Sequence, residues 1–160
     1  MSRSLAQARL LALLVPAALL AGAWGSQIWG GLIPCEMCWW QRYAHLAALV
    51  PVAIAFAAPR NARLLVLLAA LAIATSGAIG FYHAGVEAGI FQGFTQCSAS
   101  SSGLTGDELL KQVMNSSMIR CTDVQWSLLG ISMAGWNGIV SIGGALAIVW
   151  LSLRNRRVRS

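Results

Sequence analysis

Cys35 and Cys38 form a Cys-x-x-Cys pair, and this spacing is the strongest chemical signal in the chain. A disulfide between them would close a very short loop and restrict the unfolded chain very little, so it is a poor structural staple. Redox exchange explains the spacing better, because Pro34 and the run that follows place Cys38 near the start of a helix, where the positive end of the dipole lowers the pKa of a thiol. Arg42 lies one turn further on the same face, and its side chain leans back toward Cys38. The pattern therefore predicts a reactive thiolate at Cys38.

Cys97 and Cys121 are the other two cysteines, and a long segment separates them. Four cysteines allow three pairings, and the spacing favours a Cys35–Cys38 disulfide and a Cys97–Cys121 disulfide. The topology derived below places all four on the extracytoplasmic side of a membrane, where disulfides persist. We therefore expect two exchangeable cysteine pairs on one side.

A metal site is the obvious rival for four cysteines. A structural zinc ribbon usually has two short Cys-x-x-Cys knuckles, and only one is present, so we expect no metal. Neither histidine changes this: His45 follows Arg42 on roughly the same side of its helix, and His83 ends the third apolar run. A lone histidine in such a place is more often a packing residue than a ligand.

Four apolar segments must position these residues. The chain has 160 residues, of which 58% are hydrophobic and 10% charged, and its mean hydropathy is +0.68. This composition excludes an ordinary water-soluble domain. Continuous apolar runs of this length indicate helices rather than alternating strands. We predict an all-α, polytopic membrane protein with one domain over residues 1–160 and four transmembrane helices near 10–30, 39–58, 63–83 and 134–153.

The basic residues set the predicted topology. The net charge of +6 does not point to nucleic acid, because the arginines flank the spans instead of forming a stripe with aromatic residues. By the positive-inside rule, both termini and the 59–62 connection are cytoplasmic, and loops 31–38 and 84–133 are extracytoplasmic. A cleaved signal peptide ending near Ala21-Gly22-Ala23 is the alternative, but the apolar run continues through Ile33, so we expect a retained span.

The 84–133 loop is the one long connection. Its Ser-rich stretch 98–102 is typical of a mobile loop. Thr105 and Glu108 have the spacing of a capping box and predict a short helix, either lying on the membrane surface or packed only on protein. Small residues in spans three and four predict close helix packing, and prolines at positions 16 and 51 predict kinks.

Several motifs together closely resemble one family over nearly the whole chain. They are Pro34-Cys35-x-x-Cys38 with Arg42, Phe81-Tyr82-His83, the pair Cys97 and Cys121, Cys121-Thr122-Asp123, Trp126-Ser127-Leu128-Leu129-Gly130 and Trp136-Asn137. The family is that of disulfide bond formation protein B (DsbB), quinone-dependent thiol oxidases of the bacterial inner membrane.

The resemblance implies a role for each site residue. Cys97 would receive the attack of a periplasmic DsbA-like thiol oxidase and form a transient mixed disulfide, and Cys121 would be its bridge partner. Cys35 would exchange with these loop cysteines, and Cys38 would face a membrane quinone, either ubiquinone or menaquinone. Arg42 would hold the quinone head group, with His83 a weaker candidate for the same pocket.

Two other functions remain open from the sequence. A vitamin K epoxide reductase-like enzyme also combines four helices, a quinone and two cysteine pairs, but as that family is understood its Cys-x-x-Cys lies near the last span. A non-enzymatic membrane scaffold would use its disulfides only to brace loops, and it would tolerate serine at Cys35 and Cys38.

Overall fold

Four long helices make up most of the structure, a computed structural model that describes residues 2–93, 107 and 120–154. Each overlaps one of the four predicted segments, so the all-α class is confirmed. They are α1 (Arg3–Ile28), α2 (Glu36–Ala57), α3 (Ala62–Glu87) and α4 (Met133–Leu153), with a 3₁₀ turn at Pro59–Asn61 between α2 and α3.

Local sequence explains where the helices begin and end. The hydroxyl of Ser132 accepts a hydrogen bond from the Gly135 amide at 3.1 Å and so caps α4, while a sulfur takes the same position at the start of α2. The α3 helix extends four residues beyond the predicted end at 83. It stops where Gly89 adopts a φ of +71°, a conformation that costs glycine little, so the connection predicted to start at 84 begins later.

Within the described part of the chain, three helical segments are long and apolar enough to cross a membrane: Arg3–Ile28, Pro59–Glu87 and Met133–Leu153. The α2 helix does not join them, because its first three turns carry Gln41, Arg42 and His45. The fourth span near 39–58 therefore stays a prediction, as do the sides of the membrane on which the termini and cysteines lie.

Glycines bring α3 and α4 into close contact, as the small-residue pattern predicts. A Cβ atom at Gly80 would lie 2.8 Å from the backbone oxygen of Ala134, and one at Gly138 would lie 3.0 Å from the ring of Phe81. Such approach lets two backbones pack without intervening side chains. The prolines at positions 16 and 51 lie inside α1 and α2, where they were expected.

A short antiparallel hairpin precedes α4. Ser127–Leu128 (β1) pairs with Ile131–Ser132 (β2), and the tip has Leu129 at φ +55° and Gly130 at φ +78°. The sequence analysis did not predict it, because two residues per strand show no alternation. The helix expected to open at Thr105 and Glu108 lies outside the described residues, apart from Asp107, which is helical.

Buried side chains form two groups at different depths of the bundle. The larger group is aliphatic, with Val52, Val66, Ile73 and Ile148 among its members. The smaller one, called here the cysteine cluster, consists of buried Cys35, Met37, Val86 and Cys121 with Cys38 and Tyr82 packed against them. The cysteine cluster lies where the start of α2 meets the end of α3.

Candidate functional site

The Cys-x-x-Cys pair forms the start of α2, as predicted. Cys35 is the N-cap, and its sulfur accepts a hydrogen bond from the Cys38 amide at 3.3 Å. The two Sγ atoms are 2.9 Å apart, compared with about 2.05 Å in a disulfide, and both residues are thiols in this structure. The predicted disulfide stays a prediction, but the helix start holds the two sulfurs side by side.

The two thiols differ in acidity because one hydrogen-bonds to the other. The Cys35 thiol donates to the Cys38 sulfur, and this hydrogen bond, with help from the Cys35 backbone and the Arg42 charge, outweighs burial and lowers the pKa of Cys38 to about 7. The same hydrogen bond, together with burial, raises the pKa of Cys35 far above its usual range. Cys38 is therefore the thiolate of the pair near neutral pH, in agreement with the sequence prediction.

Arg42 is held by α1 rather than extended into solvent. Its guanidinium donates hydrogen bonds to the Gln27 side chain at 2.7 Å and to the backbone oxygen of Ala23 at 2.9 Å, and it lies 4.9 Å from the centre of the Trp39 ring. The residue is only 6% exposed. Two of the five guanidinium N–H groups thus position the cation, and its charge is near enough to stabilise the Cys38 thiolate.

His83 lies beside Cys35. Its Nε2 atom is 3.6 Å from the Cys35 sulfur and 3.8 Å from a carboxylate oxygen of Glu87, one turn further along α3. Its Nδ1 atom is 3.1 Å from the side-chain nitrogen of Gln41. His83 was predicted as a quinone-pocket residue, and the structure gives it a direct contact with the cysteine pair.

Asn137 sets the orientation of the polar groups around His83. Its side-chain nitrogen donates to the backbone oxygen of Ser76 at 3.2 Å and to the Gln41 side-chain oxygen at 2.8 Å. Because a backbone oxygen can only accept a hydrogen bond, the Asn137 side-chain atom that faces Ser76 must be the nitrogen, and the other must be the oxygen. The Gln41 nitrogen must then be the donor to His83 Nδ1, and neutral His83 carries its proton on Nε2.

The same network includes one ring nitrogen of His45. Its Nε2 atom lies 2.9 Å from the Asn137 side-chain oxygen, so the ring donates across the bundle from α2 to α4. This agrees with the expectation that a lone histidine at this place has a packing role.

The proton on His83 Nε2 also bears on metal binding. Among the described residues, Cys35, Cys38 and His83 place their ligand atoms within 4.8 Å of one another. A metal-bound histidine normally donates its other ring N–H to an acceptor. Here the Gln41 amide donates to Nδ1, which leaves the proton on the nitrogen that would have to bind the metal. Nε2 would therefore have to give up its proton before His83 could join the two sulfurs as a metal ligand, and the absence of a metal stays a prediction.

A cavity of about 520 Å³ adjoins the thiol pair. Its walls include Cys38, Arg42, His83 and Glu87, and small apolar residues of α1 such as Ala18 and Gly22 line another side. The volume falls within the usual range for small-molecule sites, which combine apolar walls with a few convergent polar groups. A planar ring bearing carbonyl oxygens fits this lining, because Arg42 supplies donors and α1 supplies apolar surface.

Cys121 lies in the cysteine cluster and is 1% exposed, packed in the same buried group as Cys35. The two lie far apart in sequence, so the structure brings one member of the second pair to the first. Cys97, its predicted disulfide partner, lies outside the described residues, and that pairing stays a prediction.

Sequence reasoning missed three residues of the site. Gln41 and Glu87 were not singled out as partners of His83, and Gln27 was not expected to bind Arg42. For Gln41 a signal was available, because it is a polar residue in an apolar helix and lies three positions after Cys38, on the same side of that helix. For Gln27 no signal was present, because nothing in the sequence indicates which residue of α1 faces α2.

Comparison with known proteins gives one match. The family model for disulfide bond formation protein DsbB matches residues 5–151. No curated protein and no solved structure matches the chain.

Proposed function

This chain belongs to the DsbB family of disulfide bond formation proteins, and from that membership and the geometry at Cys38 we propose that it oxidises a DsbA-like thiol protein and transfers the electrons to a membrane quinone. The observation that carries the proposal is the acidic thiol of Cys38 on the wall of a cavity that Arg42 also lines. A thiolate is the reactive form of cysteine, and a cation beside it holds it in that form.

The cavity fits a quinone head group by its chemistry. Arg42 would donate hydrogen bonds to a carbonyl oxygen, and the apolar side of the cavity would take the ring. A bound quinone would supply the two-electron oxidant that regenerates the Cys35–Cys38 disulfide. Ubiquinone and menaquinone both meet these requirements.

The protein's own residues divide the work between the two thiols. Cys38 presents its sulfur to the cavity as a thiolate, while Cys35 keeps its proton and donates it in a hydrogen bond to that sulfur. Arg42 is tied to α1, so its charge stays beside Cys38 in the absence of any ligand. Disulfide formation requires Cys35 to lose its proton. His83, whose Nε2 is already protonated, lies next to Cys35, and Glu87 lies next to His83 on α3.

The partner side of the reaction belongs to the second cysteine pair. We propose that the thiolate of a periplasmic DsbA-like oxidase attacks Cys97 and that Cys121 is released from their disulfide. Cys121 then passes the electron pair to Cys35 by thiol–disulfide exchange. Its burial beside Cys35 supports this order.

The proposed setting is the bacterial inner membrane, with four spans, both termini in the cytoplasm and the cysteines on the periplasmic side. Three apolar helices support it, and α2 would be the fourth span. Buried Gln41 and His45 support a place for α2 inside the bundle, because both hydrogen-bond to Asn137 of α4.

The test is anaerobic mixing of the purified protein with a reduced DsbA-like protein and a quinone, while quinone absorbance is followed. We expect stoichiometric quinone reduction by the wild type and none by Cys38→Ser. Ser152→Ala, a buried residue near the other end of α4, is a control away from this network and should reduce quinone at close to the wild-type rate.

Two results would contradict the proposal. Quinone reduction by Cys38→Ser would mean that another group delivers the electrons. Full biological function of a variant with serine at both Cys35 and Cys38 would instead favour a non-enzymatic scaffold.

A further inference from the structure

His83 connects the two cysteine segments. Its Nε2 atom is 3.6 Å from the Cys35 sulfur, and its ring also hydrogen-bonds the backbone of Cys121. The side chain is 3% exposed, so water competes little for these contacts. One imidazole therefore contacts a residue from each cysteine pair.

The hydrogen-bond network makes His83 a donor at this position. Because Gln41 donates to Nδ1, neutral His83 carries its proton on Nε2, the nitrogen that faces Cys35. A donor suits both neighbours, since a backbone carbonyl oxygen and the sulfur of a thiol or disulfide can each accept a hydrogen bond. The Asn137 amide fixes this polarity through Gln41.

The segment around Cys121 is shaped to present its sulfur toward α2. The Asp123 amide donates to the Arg120 backbone oxygen at 3.0 Å, which closes a tight turn around Cys121. Gln125 then forms two hydrogen bonds with the backbone of Ile33, at 3.0 and 2.6 Å. Gln125 thus anchors the segment at one point, and His83 holds it close to the reacting sulfurs.

Resting on the proposed function, we propose that His83 is the positioning residue for exchange between the two pairs, holding the Cys121 backbone so that the Cys121 sulfur meets Cys35. In that exchange Cys121 leaves its disulfide with Cys97 as a thiolate. Its thiolate attacks the Cys35 sulfur of the Cys35–Cys38 disulfide, the Cys121–Cys35 bond forms, and the Cys35–Cys38 bond breaks. The electron pair of the broken bond stays on Cys38, which leaves as a thiolate.

This arrangement also determines which sulfur is attacked. An acidic thiol is the better leaving group in disulfide exchange, and Cys38 is the more acidic of the pair. By holding Cys121 against Cys35, His83 directs attack so that Cys38 is expelled beside the cavity and Arg42.

The test measures how strongly the folded protein favours a Cys35–Cys121 disulfide. A protein retaining only these two cysteines, with Cys38→Ser and Cys97→Ser, is equilibrated with glutathione redox buffers in detergent without quinone. We expect His83→Phe to lower the effective concentration of the two thiols about tenfold, the change expected from losing one hydrogen bond. His83→Gln keeps an N–H donor and should remain within about threefold of the parent.

His45→Phe is the matched control. It puts the same ring at another buried histidine of the same network, which bonds Asn137 and not Cys121. The contacts of His83 with Gln41 and with the Cys121 backbone remain in this variant, so we expect the effective concentration to change less than about twofold. If His83→Phe does not fold, His83→Leu compared with His83→Gln gives the same contrast between a lost and a kept donor.

Two outcomes would overturn the proposal. One is an unchanged effective concentration in His83→Phe, and the other is an equal loss in His83→Phe and His45→Phe, which would indicate general loosening of the bundle. The measurement contains neither quinone nor partner protein. Failure of quinone reduction would therefore contradict the proposed function without deciding the role of His83. An unchanged effective concentration in His83→Phe would contradict the role of His83 without deciding the proposed function.

Discussion

Removing the Cys35 thiol should change the pH dependence of Cys38 in a specific way. The hydrogen bond from Cys35 is the largest influence that lowers the pKa of Cys38 to about 7. Without it, in Cys35→Ala, we expect the pKa of Cys38 to return to about 8.5 or higher, the ordinary value of a thiol. At pH 7 the thiolate fraction then falls from about one half to about 3%.

The expected rates follow from two opposing effects. The thiolate with the higher pKa is intrinsically more nucleophilic, by about fivefold for a difference of about 1.5 units. At pH 7 the variant should therefore react about threefold more slowly than the wild type, and at pH 10 about fivefold faster. The two rate profiles should cross near pH 8, at about 7.8. A general loss of structure would change the reaction rate in the same direction at low and at high pH, so the two profiles would not cross.

The assay is alkylation of the fully reduced, quinone-free protein by iodoacetamide, with labelling of Cys38 quantified by mass spectrometry of its peptide from pH 5 to 10. Cys121→Ala is the control, since it removes another thiol of the cysteine cluster that is not among the influences on Cys38. Its midpoint should stay near 7. A Cys35→Ala profile that keeps a midpoint near 7, or that never crosses the wild-type profile, would refute the assignment of this hydrogen bond as the main cause.

Three further predictions concern the surroundings of Cys38. Arg42→Met should move the alkylation midpoint of Cys38 to higher pH, because the Arg42 charge lowers the pKa of Cys38. Arg42→Lys keeps a positive charge and should bring the midpoint part of the way back. An unmoved midpoint in Arg42→Met would mean that the cation does not act on the sulfur. Glu87→Gln should move the same midpoint to lower pH and speed alkylation at pH 6, because the Glu87 charge raises the pKa of Cys38, and slower alkylation there would contradict the sign. Gly80→Ala should lower the free energy of unfolding in detergent by about 1–3 kcal/mol, because the new Cβ would lie 2.8 Å from the Ala134 backbone oxygen. Thermal or denaturant unfolding measures this change. An unchanged stability would show that α3 and α4 can separate at little cost.

Much of the architecture could be predicted because membrane helices have a strong one-dimensional signal. Long charge-free runs located all four helices, and the Cys-x-x-Cys spacing located the start of α2. The pairing of His83 with Cys35 could not be predicted in the same way, because it depends on how α2 and α3 are rotated about their axes. Apolar periodicity cannot supply that angle when a helix is apolar all round.

The partners of the charged groups were the hardest to predict. Arg42 was expected to reach back toward Cys38, and its charge does act there, but its hydrogen bonds go to α1. A guanidinium has five N–H groups, so one neighbour in sequence does not determine the others. The hairpin before α4 escaped prediction for another reason, since two-residue strands are too short for any pattern.

The amide of Asn137 has a consequence for assembly of the protein. Lipid tails are as apolar as the outer faces of the helices, so burial alone gives a helix little reason to prefer one azimuth over another. Hydrogen bonds from the Asn137 side chain to Gln41, Ser76 and His45 join α2, α3 and α4 at one level of the bundle. All of them can form at only one rotation of each helix about its axis. In a newly inserted chain whose helices pack at another rotation, these polar groups lack hydrogen bonds. The free-energy cost of the unpaired groups disfavours such bundles relative to the one in which the sulfurs face the cavity.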